Sequence, residues 1–159
     1  MKLYFLRHTE ALDGMDDAAR PLSGRGRRQA EAIGEFLERA GIAFDAAYSS
    51  PLVRAWQTAE WVLRRGGGVE PDRLQRVDAL LNETTARGFE GWLRSLPEAR
   101  HVLLVGHNPS LSERVNALLG MPEHGGLDLP KGGLACVGSP DGRGGALKFY
   151  VTPKLLGDG

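Results

Sequence analysis

The sequence contains one cysteine, Cys136, in 159 residues. An internal disulfide and a thiolate metal cage are therefore excluded. Cys136 lies in Leu134-Ala135-Cys136-Val137, which reads as a buried strand where a free thiol packs like a small apolar group. Lysine is scarce, with 4 Lys beside 16 Arg. Neither sign of charge is in excess, since 20 basic and 20 acidic residues cancel. That balance argues against a protein built mainly to bind nucleic acid or an anionic membrane, and it makes any positive site local. Long apolar runs are missing as well. The N-terminal run Leu3 to Leu6 stops at Arg7 and His8, too early for the apolar core of a signal peptide. Nothing approaches the roughly 20 apolar residues of a membrane span. A soluble, cytoplasmic protein is expected.

What is present suits one globular domain spanning residues 1–159, with 42% hydrophobic and 25% charged residues. Lys2 to Leu6 is short and almost wholly apolar, as in a strand covered on both faces. A polar loop runs from Glu10 to Arg20. A helix follows, capped by Ser23, with Ala30, Ile33, Leu37 and Ala40 at helical spacing and Gly41 as its stop. Phe44 to Tyr48 reads as a second strand. Ser50 and Pro51 then open a helix with Trp56, Ala59 and Leu63 on its apolar face, broken by Gly66-Gly67-Gly68. Leu74 to Val77 reads as a short strand and Gly88 to Leu96 as a helix. His101 to Gly106 is the strongest strand signal, followed by a helix from Asn108-Pro109 to Leu119. Gly133 to Gly138 and Ala146 to Val151 read as an antiparallel pair around a turn-rich segment. This order predicts a three-layer α/β/α sandwich with a mainly parallel sheet and an antiparallel C-terminal strand pair.

In such sheets ligands gather at the carboxyl ends of the strands. Three predicted strand ends carry Arg7-His8, Ser49-Ser50-Pro51 with Arg54 just beyond, and Gly106-His107-Asn108-Pro109. Two arginines offer forked donors for phosphate oxygens. Two helix N-termini, capped by Ser50 and Asn108, add free N–H groups. Two histidines complete an anion pocket that contains a nucleophile. The chemistry expected is attack by neutral His8 on phosphorus, with Arg7, Arg54 and His107 holding the oxygens. Taken singly, each residue has a plainer explanation: a surface histidine, a solvated arginine, an ordinary helix start. Two histidines could also hold a metal, but no third ligand stands at metal-site spacing, so no metal or cofactor is expected.

These residues resemble the histidine phosphatase superfamily, the phosphoglycerate-mutase-like or branch 1 group. Leu6-Arg7-His8-Thr9-Glu10-Ala11 resembles its Arg-His-Gly signature. Arg20-Pro21-Leu22-Ser23 through Gly26-Arg27-Arg28-Gln29-Ala30 resembles its loop and first helix, Ser49 through Ala59 its second block, and Val105-Gly106-His107-Asn108-Pro109 its third. The resemblance implies a phosphorylated nucleophile at His8 and phosphate-pocket roles for Arg7, Arg54 and His107. The short chain and the Arg-Pro-Leu-Ser block are most similar to SixA-type phosphohistidine phosphatases, which implies a phosphohistidine-bearing protein as partner. A small phosphate ester is the alternative substrate, and a binding module without turnover the third reading. Thr9 stands where the family has Gly, so a Cβ must fit near the phosphate; Thr9 and Ser50 are expected to line that site. Glu83 falls in the region where family members place a general acid, with Glu10 and Asp13 as further candidates. A chain lacking that acid favours P–N substrates, whose leaving nitrogen can arrive already protonated.

Overall fold

A computed structural model describes residues 1–66, 68–122 and 124–157. Six strands form one sheet: β1 (Lys2–Arg7), β2 (Ala46–Ser49), β3 (Gln75–Arg76), β4 (His101–Gly106), β5 (Leu134–Gly138) and β6 (Ala146–Val151). The helices are α1 (Gly24–Arg39), α2 (Val53–Gly66), α3 (Ala86–Ser95) and α4 (Ser110–Leu118). The strand order is β3-β2-β4-β1-β5-β6. The first four strands in chain order run parallel, and β5 and β6 reverse direction beside β1.

The alternating side chains of each central strand feed two cores. Tyr4 and Leu6 of β1 join Leu103 and Val105 of β4 against Ile33 and Leu37 of α1 and Ala59 and Val62 of α2. Leu3 and Phe5 join Val102 and Leu104 on the other face, against Phe89 and Leu93 of α3 and Leu111 and Val115 of α4. Both faces are covered, which explains why β1 and β4 read as continuous apolar runs. Cys136 is buried in the first core.

The register fixes where the strands end. Arg7 pairs with Gly106, and Ser49 pairs with Val105. The His8 N–H donates to the Gly106 carbonyl and the Ser50 N–H to the Val105 carbonyl, both at 3.0 Å. The residues after all three strands therefore emerge along one edge.

Ser23 caps α1 as predicted, accepting the Gly26 N–H at 3.0 Å, and Gly41 follows with φ 69°. Gly26 is needed for a second reason: a Cβ there would overlap the Glu10 carbonyl, so only glycine lets α1 approach the chain after β1. Several boundaries differ from expectation. Phe44 is buried but lies before β2, which begins at Ala46. Only Gln75 and Arg76 of the predicted third strand pair with β2, since a 3₁₀ turn starts at Asp78. The α3 helix starts two residues early because Thr85 caps it, accepting the Gly88 N–H. Gly67, in the predicted glycine break, lies outside the described residues, while α2 ends at Gly66.

Two predicted caps are corrected. The α2 helix begins at Val53, after Pro51, and the Ser50 hydroxyl is engaged by His107. The N-cap position of α4 is Pro109, and the Asn108 side chain braces a distant loop instead. Serine or asparagine before proline carries a local cap signal, but each side chain here has a stronger partner across the sheet edge.

Candidate active site

His8, Ser50, Arg54 and His107 are all buried and lie together at the carboxyl edge, with Arg7 partly exposed beside them. The His8 Nδ1 lies 2.7 Å from the Thr9 carbonyl. A carbonyl can only accept, so the neutral ring carries its proton on Nδ1 and keeps the Nε2 lone pair free. The His107 ring stands beside it, with centroids 5.1 Å apart. Its Nε2 is 2.6 Å from the Ser50 Oγ. That Oγ also accepts the Leu52 N–H at 3.3 Å, and a hydroxyl can donate to or accept from the imidazole. The other ring nitrogen, Nδ1, is a buried atom without a protein partner among the described residues.

Arg7 donates through Nη1 to the Leu129 carbonyl at 3.0 Å, while its buried Nε has no partner among the described residues. Arg54 donates through Nη1 to the Asp17 carbonyl at 2.8 Å and through Nη2 to the Asp17 carboxylate at 3.2 Å. Burial, then the charges of Arg54, Arg7 and Lys131, pull the His8 pKa down to about 4, against the opposing pull of the Thr9 carbonyl. Burial, then the charges of His8, Arg54 and Arg7, take His107 down to about 3, with Asp17 opposing. Burial also lowers the pKa of Arg7. At neutral pH the site thus holds two neutral imidazoles among partly desolvated guanidiniums, a state that a bound anion stabilises.

The other sequence candidates are placed differently. Thr9 is fully buried with its Oγ1 3.3 Å from the Thr58 Oγ1, and its backbone has negative φ, so the Cβ fits without strain. Its hydroxyl is turned to a packing partner, and its carbonyl is the group that meets His8. Glu83 is exposed and makes no side-chain hydrogen bond or ion pair among the described residues. Its neighbour Asn82 reaches the site's frame, donating to the Asn108 carbonyl at 2.8 Å and accepting the Ser110 N–H at 3.2 Å. Glu10 accepts from Ser23 at 3.1 Å and pairs with Arg25 at 3.5 Å. Asp13 is fully exposed, 4.0 Å from Arg20.

Several supporting residues carry no short-range signal. Thr58, one turn beyond Arg54, donates to the Arg54 carbonyl at 2.7 Å and accepts the Thr9 N–H at 3.1 Å, tying α2 to the end of β1. Asn108 donates to Asp128 at 3.0 Å and to the Leu129 carbonyl at 2.8 Å. The Leu129 carbonyl therefore serves both Arg7 and Asn108. Gly132, at φ 75°, donates to the carbonyls of Arg7 and His8 at 3.1 and 3.2 Å. A side chain at Gly132 would meet Pro153 at 2.6 Å. Asp17 lies in a polar loop without periodicity, and nothing in that loop foretells its bond to Arg54.

The chain belongs to the histidine phosphatase superfamily, branch 1, whose family model matches residues 3–92. It is a phosphatase of that superfamily, with a SixA-like fold. An uncharacterized protein of Picosynechococcus sp. (strain ATCC 27264 / PCC 7002 / PR-6) is 35% identical over 84% of this chain and 82% of its own. The mitochondrial serine/threonine-protein phosphatase Pgam5 of Drosophila ananassae is 41% identical, but over 39% of this chain and only 22% of that longer one. Among solved structures, the protein histidine phosphatase SixA complexed with tungstate has a TM-score of 0.87 at 23% identity, covering 98% of this chain and 99% of that one. The alpha-ribazole phosphatase of Shigella flexneri has a TM-score of 0.68 at 20% identity, covering 96% and 97%. At such identities the structural likeness is one of fold. No described helix is long and apolar enough to cross a membrane.

Proposed function

We propose that this phosphatase hydrolyses phosphohistidine on a partner protein, through a phosphoenzyme intermediate on His8. The His8 Nε2 attacks phosphorus, and the Nε2–P bond forms as the bond to the leaving group breaks. Arg7, Arg54 and His107 hold the equatorial oxygens and stabilise the charge spread over them. Because Thr9 keeps the proton on Nδ1, phosphorylation at Nε2 makes His8 an imidazolium. When water attacks, the P–N electron pair returns to Nε2, and the ring leaves neutral with its Nδ1–H still on Thr9. The arginines neutralise the phosphoryl group, so no metal is required.

The observation that carries the substrate class is the state of the carboxylates around the pocket. Asp17, which touches Arg54, is held below the usual carboxylate range by Arg20 and Arg54, so it is an anion and not a proton donor. Glu83 is exposed and unanchored. A site without a poised acid suits a leaving nitrogen that brings its own proton, whereas an alkoxide needs one supplied. A small-ester reading has one observation in its favour. A groove of about 590 Å³ beside Arg7 is lined by Lys131, Lys154 and an Arg25 that pairs with the Glu10 carboxylate in the same groove, and the two lysines offer charge for a second anionic group of a small substrate.

Side-by-side kcat/KM values on a phosphohistidine-bearing protein and on simple phosphate esters test the choice. The protein substrate is expected to win, and faster turnover of small esters would reject the proposal. His8→Ala should abolish both phosphate release and the acid-labile phosphoenzyme. Release at the original rate would refute the role of His8.

A further inference from the structure

Asp17 opens a 3₁₀ turn (Asp17–Ala19) in the loop between β1 and α1. That loop is braced rather than free. The Glu10 N–H donates to Gln29, the Leu22 N–H donates to Gln57, and Ala11 pairs with Leu22. The two Asp17 carboxylate oxygens are split between two guanidiniums, Oδ2 at 3.2 Å from Arg54 and Oδ1 at 3.0 Å from Arg20. The Asp17 side chain is 67% exposed, while that of Arg54 is 11% exposed. Arg54 is thus the buried inner end of a charge pair, and Asp17 is its outer, solvent-side end.

Displacement at phosphorus runs in line, with attacking and leaving atoms on opposite sides. His8 is buried, at 7% exposed, and the Asp17 side chain is 67% exposed, so a leaving group that departs away from His8 moves toward the solvent that Asp17 borders. A fixed anion there opposes an ester. As a P–O bond breaks, its electron pair moves onto oxygen and builds negative charge near the carboxylate. The same anion also occupies donors of Arg54 that a phosphate dianion would use. A pocket shaped only for dianionic esters gains nothing from it.

We propose that Asp17 is a specificity-determining residue, whose carboxylate favours leaving groups that are protonated, cationic nitrogens over those that leave as oxyanions. The inference rests on the phosphohistidine reading of the site and deepens it. With phosphoimidazole protonated on its far nitrogen, the leaving ring is a cation attracted to Asp17. The Nε2–P bond of His8 forms, the P–N pair moves onto the leaving nitrogen, and neutral imidazole departs with the proton it brought. The enzyme supplies no proton. The reach of the Asp17 charge into the site supports the arrangement, since that charge acts on His107 against the surrounding cations.

The test compares the full chain with its Asp17→Asn and Asp17→Glu variants on phosphoimidazole and p-nitrophenyl phosphate, small probes that need no protein docking. Asp17→Asn should lower the ratio of P–N to P–O kcat/KM about tenfold or more, as one unit charge near the reacting group can do. Asp17→Glu, which keeps the charge, should restore most of the ratio. If Asp17→Asn lowers both activities by the same factor, Asp17 merely positions Arg54 and the proposal fails. A ratio that stays put overturns it too. The parent reading fails separately, if the wild-type enzyme prefers esters to the phosphohistidine protein. In that event the Asp17→Asn ratio still decides this inference.

Discussion

The Thr9 carbonyl, 2.7 Å from His8 Nδ1, determines which nitrogen of that ring is free to react, and the surrounding burial determines at what pH it is free. With the His8 pKa lowered to about 4, mainly by desolvation, protonation removes the lone pair only in strongly acidic solution. The profile of kcat/KM, which reports the free enzyme, should therefore hold its level from neutral pH downward and fall as pH drops through about 4. It is measured with a substrate whose own ionisation has been corrected for. An acid limb near 6.5, the ordinary histidine value, would mean that the burial is not felt. Arg54 invites a second test at this scale. In the proposed mechanism Arg54 is a buried donor to the phosphoryl group, so Arg54→Ala should cost about 3–4 kcal/mol of transition-state stabilisation, roughly two to three decades in turnover. An unchanged turnover number would remove Arg54 from the site.

At the scale of the elements, the loop before β5 shows how backbone shape supports chemistry. Gly132 holds a left-handed conformation and caps the carbonyls of Arg7 and His8, with Pro153 packed where a side chain would go. Gly132→Ala combines an unfavourable φ with that collision. It should lower stability by about 1–3 kcal/mol in urea unfolding and reduce turnover as the loop shifts off the histidine. Wild-type behaviour in both assays would contradict this account of the loop. The elements themselves were largely legible. The apolar runs of β1 and β4 and the spacing of Ala30, Ile33 and Leu37 follow from burial on two faces or on one. The meeting of His8, Arg54 and His107 followed from the rule that parallel strands present their carboxyl ends together. The parts that sequence left dark depend on long-range partners. Asn108 before a proline reads as a cap, yet its partners Asp128 and Leu129 lie about 20 residues onward in a loop without pattern. Ser50 has the same local signal and is claimed by His107, 57 positions away. Thr58 lies between Trp56 and Ala59 in an apolar helix stripe, where a hydroxyl gives no hint of its bond to Thr9.

For the whole molecule, the balanced charge and the buried histidines make one joint prediction. Unfolded histidine titrates near 6.5, whereas His8 and His107 in the fold titrate at about 4 and about 3. Between those limits the unfolded chain binds more protons, so stability is full above about 6.5 and falls as pH is lowered toward 4. The two rings together should cost several kcal/mol by pH 4, read as a steady drop in the urea midpoint. A midpoint unchanged between pH 7 and pH 4 would show that the rings do not resist protonation.

The reversal at β5 carries a consequence of another kind. Because β5 runs against β1, it is its beginning that lies at the reactive edge, so the chain reaches the pocket through the segment between α4 and β5 before re-entering the sheet. That segment touches Arg7, His8 and Asn108, yet its described residues contribute no strand to the ladder. It could be lengthened into a cover over the pocket without changing a single sheet hydrogen bond. A scaffold arranged in this way can acquire new clients by growing one loop, leaving the reacting groups beneath it as they are.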